Sequence, residues 1–266
     1  MEDVTFEIVE AGDAPVVRAR IPAGGSLFAD AGAMMTMTPN LTVESSLRGG
    51  VVGALSRSLL RGETFFYLTI SAPQSAGEAL LAPSTIGGIE MLELAGTEYF
   101  LQKGSFLAAQ HSVQLTTKSQ NLTKGLFSGE GFFVTRVSGS GTLVLNTFGA
   151  LMTFDLAPGQ EYVVDNFHLV AWESTISYKI TKAAAGWISS FASGEGFVCR
   201  FTGPGRIYVQ TRNPAAFAGW LSRHLPSKGR SRFGAGGPWA TRFKPCGLPP
   251  PGARGPVASN WGRAAW

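Results

Sequence analysis

Gly62 to Ile70 reads GETFFYLTI, Gly129 to Val137 reads GEGFFVTRV and Gly194 to Phe201 reads GEGFVCRF. The starts at 62, 129 and 194 lie 67 and 65 residues apart, and a motif returning at a fixed period constrains a fold more than any single motif. In the last two copies the match continues, VSGSGTLVLNT from Val137 against FTGPGRIYVQT from Phe201. Apolar alternation around a Gly-bounded turn reads as a β-hairpin.

A second element precedes each Gly-Glu pair. It is IPAGGSLFADAGAMMTM from Ile21, LQKGSFLAAQHSVQL from Leu101 and LAPGQEYVVDNFHLVAW from Leu156. Each is an apolar run, a turn and another apolar run. Pro22 and Pro158 pre-set φ for a turn that Gly24 and Gly159 complete, and the middle copy is read to turn at Lys103-Gly104. Gly24 to Met34 and Gly159 to Leu169 span the same ten positions, so the first and third copies align best. Between the two elements run Gly-containing apolar stretches beginning at Gly49, Leu122 and Ala183, read as loops.

Val4, Phe6 and Ile8 alternate on one face, as do Phe66, Leu68 and Ile70. The expected fold is therefore all-β: three tandem repeats of about 65 residues, over 13–85, 86–151 and 152–213, each too small to bury its faces alone and so packed on its neighbours. One short helix over 213–225 closes residues 1–225, with Asn213 as N-cap, Pro214 at the first helical position, and Phe217, Trp220, Leu221 and His224 on one face. Residues 226–266 hold seven Pro, eight Gly, seven Lys or Arg and no acid. Such a basic segment buries too little apolar surface to offset chain entropy and is expected to be disordered.

Charge separates along the chain. Residues 1–195 carry 11 basic and 18 acidic residues, net −7, whereas 196–266 carry 11 basic and none acidic, net +11. An acidic body repels phosphate, so nucleic-acid binding is not expected of it, and the tail would add at most nonspecific, salt-sensitive contact. Cys199 and Cys246 show neither metal-ligand spacing nor a disulfide framework. The acidic start MEDVTFEIVE has no signal-peptide or transit-peptide character, and a cytoplasmic location is expected.

The run PAGGSLFADAGAMMTM, then GGVVGALSRSLLRGETFF, then the two Gly-Glu-Gly-Phe copies resembles the altered-inheritance-of-mitochondria family of mitochondrial-biogenesis proteins, in particular its bacterial-type members. The resemblance spans about residues 3–225 and is most specific from Gly49 to Phe66. It implies a fold like that of the tryptophan RNA-binding attenuation protein, with double-stranded β-helix-type sandwich units that associate into a closed oligomer. It also implies a tie to mitochondrial membrane organisation in eukaryotic relatives, and it supplies no catalytic residue.

Gly62, Glu63, Phe65, Gly129, Glu130, Phe132, Gly194, Glu195 and Phe197 are read as structural repeat residues. Glu63, Glu130 and Glu195 would form a cation-binding carboxylate ring if they shared an axis, but satisfying backbone donors of the adjacent turn is the simpler role. His111 and His168, placed in equivalent strands, are too few for a metal site of the cupin kind. No catalytic residue, cofactor or metal is expected. Val51, Val52, Leu55, Leu59 and Leu60, flanked by basic residues including Arg57, form the candidate contact surface, for self-association, a protein partner or a weak peripheral membrane contact. The function expected is that of a non-enzymatic oligomeric scaffold or interaction protein; the alternative is a ligand or RNA binder on the same fold.

Overall fold

The computed structural model describes residues 3–10, 12, 14–46, 67–119, 133–182 and 197–225. All strands lie in one compact unit, Met1–Leu221. Of a second unit, Ser222–Trp266, only the end of the last helix is described. The first third of the chain holds β1 (Thr5–Val9), β2 (Val16–Ile21), β3 (Ser26–Asp30), β4 (Met34–Met37), β5 (Thr42–Ser46), β6 (Tyr67–Ser71) and β7 (Gly77–Leu81). The second holds β8 (Ile89–Ala95), β9 (Tyr99–Gln102), β10 (Phe106–Gln110), β11 (Val113–Ser119) and the 14-residue β12 (Phe133–Asn146). The last holds β13 (Leu151–Leu156), β14 (Glu161–Asp165), a 3-10 turn at Asn166–His168, β15 (Leu169–Glu173), β16 (Ser177–Lys182), β17 (Phe197–Thr202), β18 (Gly205–Gln210) and the helix α1 (Pro214–His224).

One pairing scheme runs through all three thirds, and every pair in it is antiparallel. In the first, β2 and β4 flank β7 while β3 and β5 flank β6. In the last, β13 and β15 flank β18 while β14 and β16 flank β17. In the middle, β8 and β10 flank the C-terminal half of β12, and β9 and β11 its N-terminal half. A register shift interrupts the third strand of each set at the same point: between Met34 and Thr36, Phe106 and Ala108, Leu169 and Ala171. The extra residue is Met35, Leu107 or Val170, and a bulge of this kind re-aims its side chain.

This scheme corrects two expectations. The Gly-bounded turn of the last two copies is not a hairpin: in the last third β17 and β18 pair with different partners in different sheets, and in the middle third one strand, β12, runs through the same position. It is a corner, and in the middle third Gly139 and Gly141, at φ of 103° and 125°, let β12 pass through it unbroken. Second, the middle counterpart of the Gly24 and Gly159 turns is Gly96, not Lys103-Gly104. All three join the first strand to the second with φ between 77° and 89°. Gly104 lies one connection later.

The thirds join through their edges. The third strand of each later third pairs with the second strand of the one before it: β10 with β3, and β15 with β9. These two junctions build an 11-stranded sheet, beside a four-stranded sheet ordered β1-β2-β7-β4 and a three-stranded sheet ordered β14-β17-β16.

The cores are shared across the same junctions. The first core, around Val17, Leu27, Ile70 and Leu81, is completed by Leu107, Ala108 and Val144 from the second third. The second, around Leu92, Leu101, Leu143 and Leu145, takes in Phe28 and Tyr67 from the first third and Val170, Ala171 and Tyr208 from the last. The third, around Trp172, Cys199, Phe201 and Ile207, takes in Val134 and the partly buried Phe100. In β6 this sends Tyr67 across the junction while Ile70 faces its own core. α1 begins as expected, with the Asn213 side chain accepting from the Ala216 N–H at 3.0 Å and Phe217 resting on Phe148 at 5.3 Å between ring centroids.

Leu107 is 1% exposed in the core of the preceding third. Leu107→Ala is expected to lose about 2–5 kcal/mol of stability in urea denaturation, the cost of a buried leucine cavity. A loss below about 0.5 kcal/mol would contradict the shared core.

Candidate interaction surface

Met34, Met35, Thr36 and Met37 make up β4, the third strand of the first third. Its counterparts β10 and β15 are each paired on both sides, and four of the five residues in each are buried. Among the described residues β4 pairs with β7 alone, and it is exposed along its whole length. Met35 is 54% exposed, whereas Leu107 and Val170, at the same bulge, are 1% and 0% exposed. Met37 is 37% exposed. One sequence position is thus core in two thirds and surface in the first.

A matching edge lies at the other end. β3 and β9, the second strands of the first two thirds, each pair with the third strand of the next, but among the described residues β14 pairs with β17 alone. Phe28 and Phe100, in mid-strand, cross into the neighbouring core. In β14 Val164 faces its own core, Tyr162 packs against it, and Val163 between them points the other way, 36% exposed. Among the described residues neither edge has a strand on its outer side, and natural sheets usually protect such edges with charge, proline or a covering element. β4, reading MMTM, carries none of these in its sequence.

The residues singled out from sequence fare differently. Gly62, Glu63, Phe65, Gly129, Glu130, Phe132, Gly194 and Glu195 lie outside the described residues, as do Val51, Val52, Leu55, Arg57, Leu59 and Leu60; Phe197 opens β17. His111 and His168 are not equivalent. His111 is at the turn between β10 and β11, its ring 4.7 Å from that of Phe28, and His168 ends the 3-10 turn before β15, its Nδ1 2.8 Å from the Gln210 carbonyl oxygen. Among the described residues no group of three His, Cys, Asp or Glu side chains is placed to hold a metal ion.

The perturbed ionisable groups sit on different strands. Burial pushes the Cys199 thiol on β17 up to about 12, with nearby Asp165 adding to the effect, so the thiolate that nucleophilic chemistry needs is disfavoured. Burial also raises Tyr99 on β9, reinforced by Tyr208. On β13, the hydrogen bonds from Arg206 hold the Asp155 carboxyl below the usual range, at 2.6 and 3.0 Å. Burial lifts Asp30, at the end of β3, to about 6.

A model of the family described as Mitochondrial biogenesis AIM24 matches residues 6–212, from β1 through the residues that follow β18. The chain belongs to the AIM24 family. An uncharacterised protein of Streptococcus pyogenes serotype M6 is 38% identical over 229 residues, covering 84% of this chain and 91% of that protein. The X-ray crystal structure of a Streptococcus pyogenes protein, a structural genomics target, matches with a TM-score of 0.71 at 37% identity, over 84% of this chain and 100% of that one. AIM24 membership thus covers all three thirds, including both open edges. No helix among the described residues is long and apolar enough to cross a membrane.

The sequence did carry a signal for the open edge. Aligned at the bulge, MMTM replaces the FLAA of β10 and the LVAW of β15, so a flexible polarizable side chain stands at the inserted position where the others have Leu and Val.

Because the folded carboxyl of Asp30 ionises near pH 6 rather than its ordinary 3.8, its neutral form favours folding. That contribution is complete below about pH 4 and is lost as pH rises through 6. Asp30→Asn is expected to flatten this fall and to gain on the order of 1–2 kcal/mol at pH 7, an upper bound of nearly 3 being reduced for partial exposure. Urea midpoints of both proteins from pH 4 to 7 test it, and equal slopes would refute it.

Proposed function

We propose that this protein is a non-enzymatic scaffold or interaction module that works as a homo-oligomer in the cytoplasm. The observation that supports this reading is the exposure of β4. A strand whose two internal counterparts are fully incorporated into neighbouring thirds is offered, uncharged and methionine-rich, to the outside. Burying what is still exposed of Met35 and Met37, 54% and 37% of each residue, would contribute about 0.5–1.5 kcal/mol each. Methionine suits that role because its unbranched thioether fits an apolar surface supplied by another molecule. The raised thiol of Cys199, inert in its core, fits a reducing compartment without a redox role.

Native mass spectrometry of the full chain at micromolar concentration tests the reading. An oligomer with nothing else bound is expected, as is dissociation to monomers in Met35→Asp, whose thermal midpoint should stay within about 2–4 °C of the monomeric fold. A wild-type monomer would overturn self-association, and an oligomer carrying a stoichiometric metal, lipid or RNA would replace the scaffold with a ligand-binding role.

A further inference from the structure

We propose that the cover for β4 is β14 of a second copy of this chain, paired antiparallel with Met37 opposite Val163. This rests on the self-association proposed above and identifies the surface that carries it. The chain contains the same junction twice. In one, Ala108, Ala109 and Gln110 of β10 lie opposite Ala29, Phe28 and Leu27 of β3. In the other, Ala171, Trp172 and Glu173 of β15 lie opposite Leu101, Phe100 and Tyr99 of β9. Both join a third strand to the preceding second strand, in one register relative to the bulge. Among the described residues, a third strand paired on one side only, β4, and a second strand paired on one side only, β14, are what remains.

The register follows from two alignments. The bulge equates Met35 with Leu107 and Val170, and therefore Thr36 with Ala108 and Ala171, and Met37 with Ala109 and Trp172. Across the junction, Phe28 and Phe100 are the residues that point away from their own cores, and in β14 that residue is Val163. Thr36 then falls opposite Val164, Met37 opposite Val163 and Thr38 opposite Tyr162.

The side chains agree. Leu107, Ala108 and Val144 enter the first core, and Val170, Ala171 and Tyr208 enter the second. The corresponding set in the first third is Met35, Thr36 and Leu80, by their pairing positions. No core of the same chain contains these three. The third core, around Trp172 and Phe201, is the one to which no later third contributes. In the assembly Met35 of one copy enters that core, while Val163 of the other meets the first core as Phe28 meets the second. Each copy then carries one donor edge and one acceptor edge. Contacts of this heterologous kind close into rings or run on as filaments.

Disulfide trapping in the full chain tests the pairing. Cys246→Ser leaves buried Cys199 as the one native thiol, and Met37→Cys and Val163→Cys are added to separate chains and to one chain. Directly opposed residues in an antiparallel pair have Cα separations that a disulfide tolerates. The expected result under mild oxidation is a covalent dimer, at twice the 28.1 kDa chain mass, when the two single variants are mixed. Higher multiples are expected from the double variant, and a several-fold loss of cross-linking when Tyr162→Cys, which points to the opposite face, replaces Val163→Cys. Three results would overturn the proposal: a dimer from Met37→Cys alone, which means β4 meets β4; a cross-link within one chain of the double variant, which means the two edges close on each other; or no cross-link while gel filtration still shows an oligomer, which moves the interface elsewhere and leaves the self-association reading standing. A gel-filtration monomer without cross-links removes both.

Discussion

Every core in this molecule borrows side chains through one kind of contact, the pairing of a third strand with the second strand of the preceding third. Leu107 reaches back from β10 into the first core, and Val170 reaches back from β15 into the second, each thrown across by the bulge at its strand's start. Without that exchange each third would be two small three-stranded layers with too little apolar surface between them to offset chain entropy. The contact also explains why the sheets differ in size. Two junctions fuse most strands into one sheet and leave β4 and β14 on the smaller sheets at either end.

How much of this was legible in the sequence depended on whether the signal was local. The period was, because the Gly-Glu-aromatic motif and the Pro-Gly turns carry their own chemistry, and the Asn213 cap of α1 was read correctly for the same reason. The partner of each strand was not. Alternating apolar residues on both sides of a glycine look alike whether the two strands pair with each other or turn a corner into separate sheets, so β17 and β18 read as a hairpin although they share no hydrogen-bonded ladder. The middle third misled by lacking proline: Ala95-Gly96-Thr97 makes the turn that Pro22 and Pro158 announce elsewhere, and Lys103-Gly104 looked the better match.

The interaction surface was the least legible part. An apolar strand of methionines reads as core in any periodicity argument, and it is core in kind: the same position is filled by Leu107 and Val170. What leaves β4 exposed is its pairing: among the described residues it has β7 on one side, whereas β10 and β15 also pair with the third before their own. The candidate contact face read from sequence, from Val51 to Leu60, has the composition of a surface and lies outside the described residues, whereas the exposed edge of β4 has the composition of an interior.

The unbroken β12 has a further consequence. In the outer thirds the two layers are tied by a corner between two short strands, whereas in the middle third one continuous backbone of 14 residues is laddered to β9 and β11 in one layer and to β8 and β10 in the other. Opening one layer of the middle third therefore strains the other through their shared backbone, so the two layers there open together, whereas each outer layer ends at a corner and can open by itself.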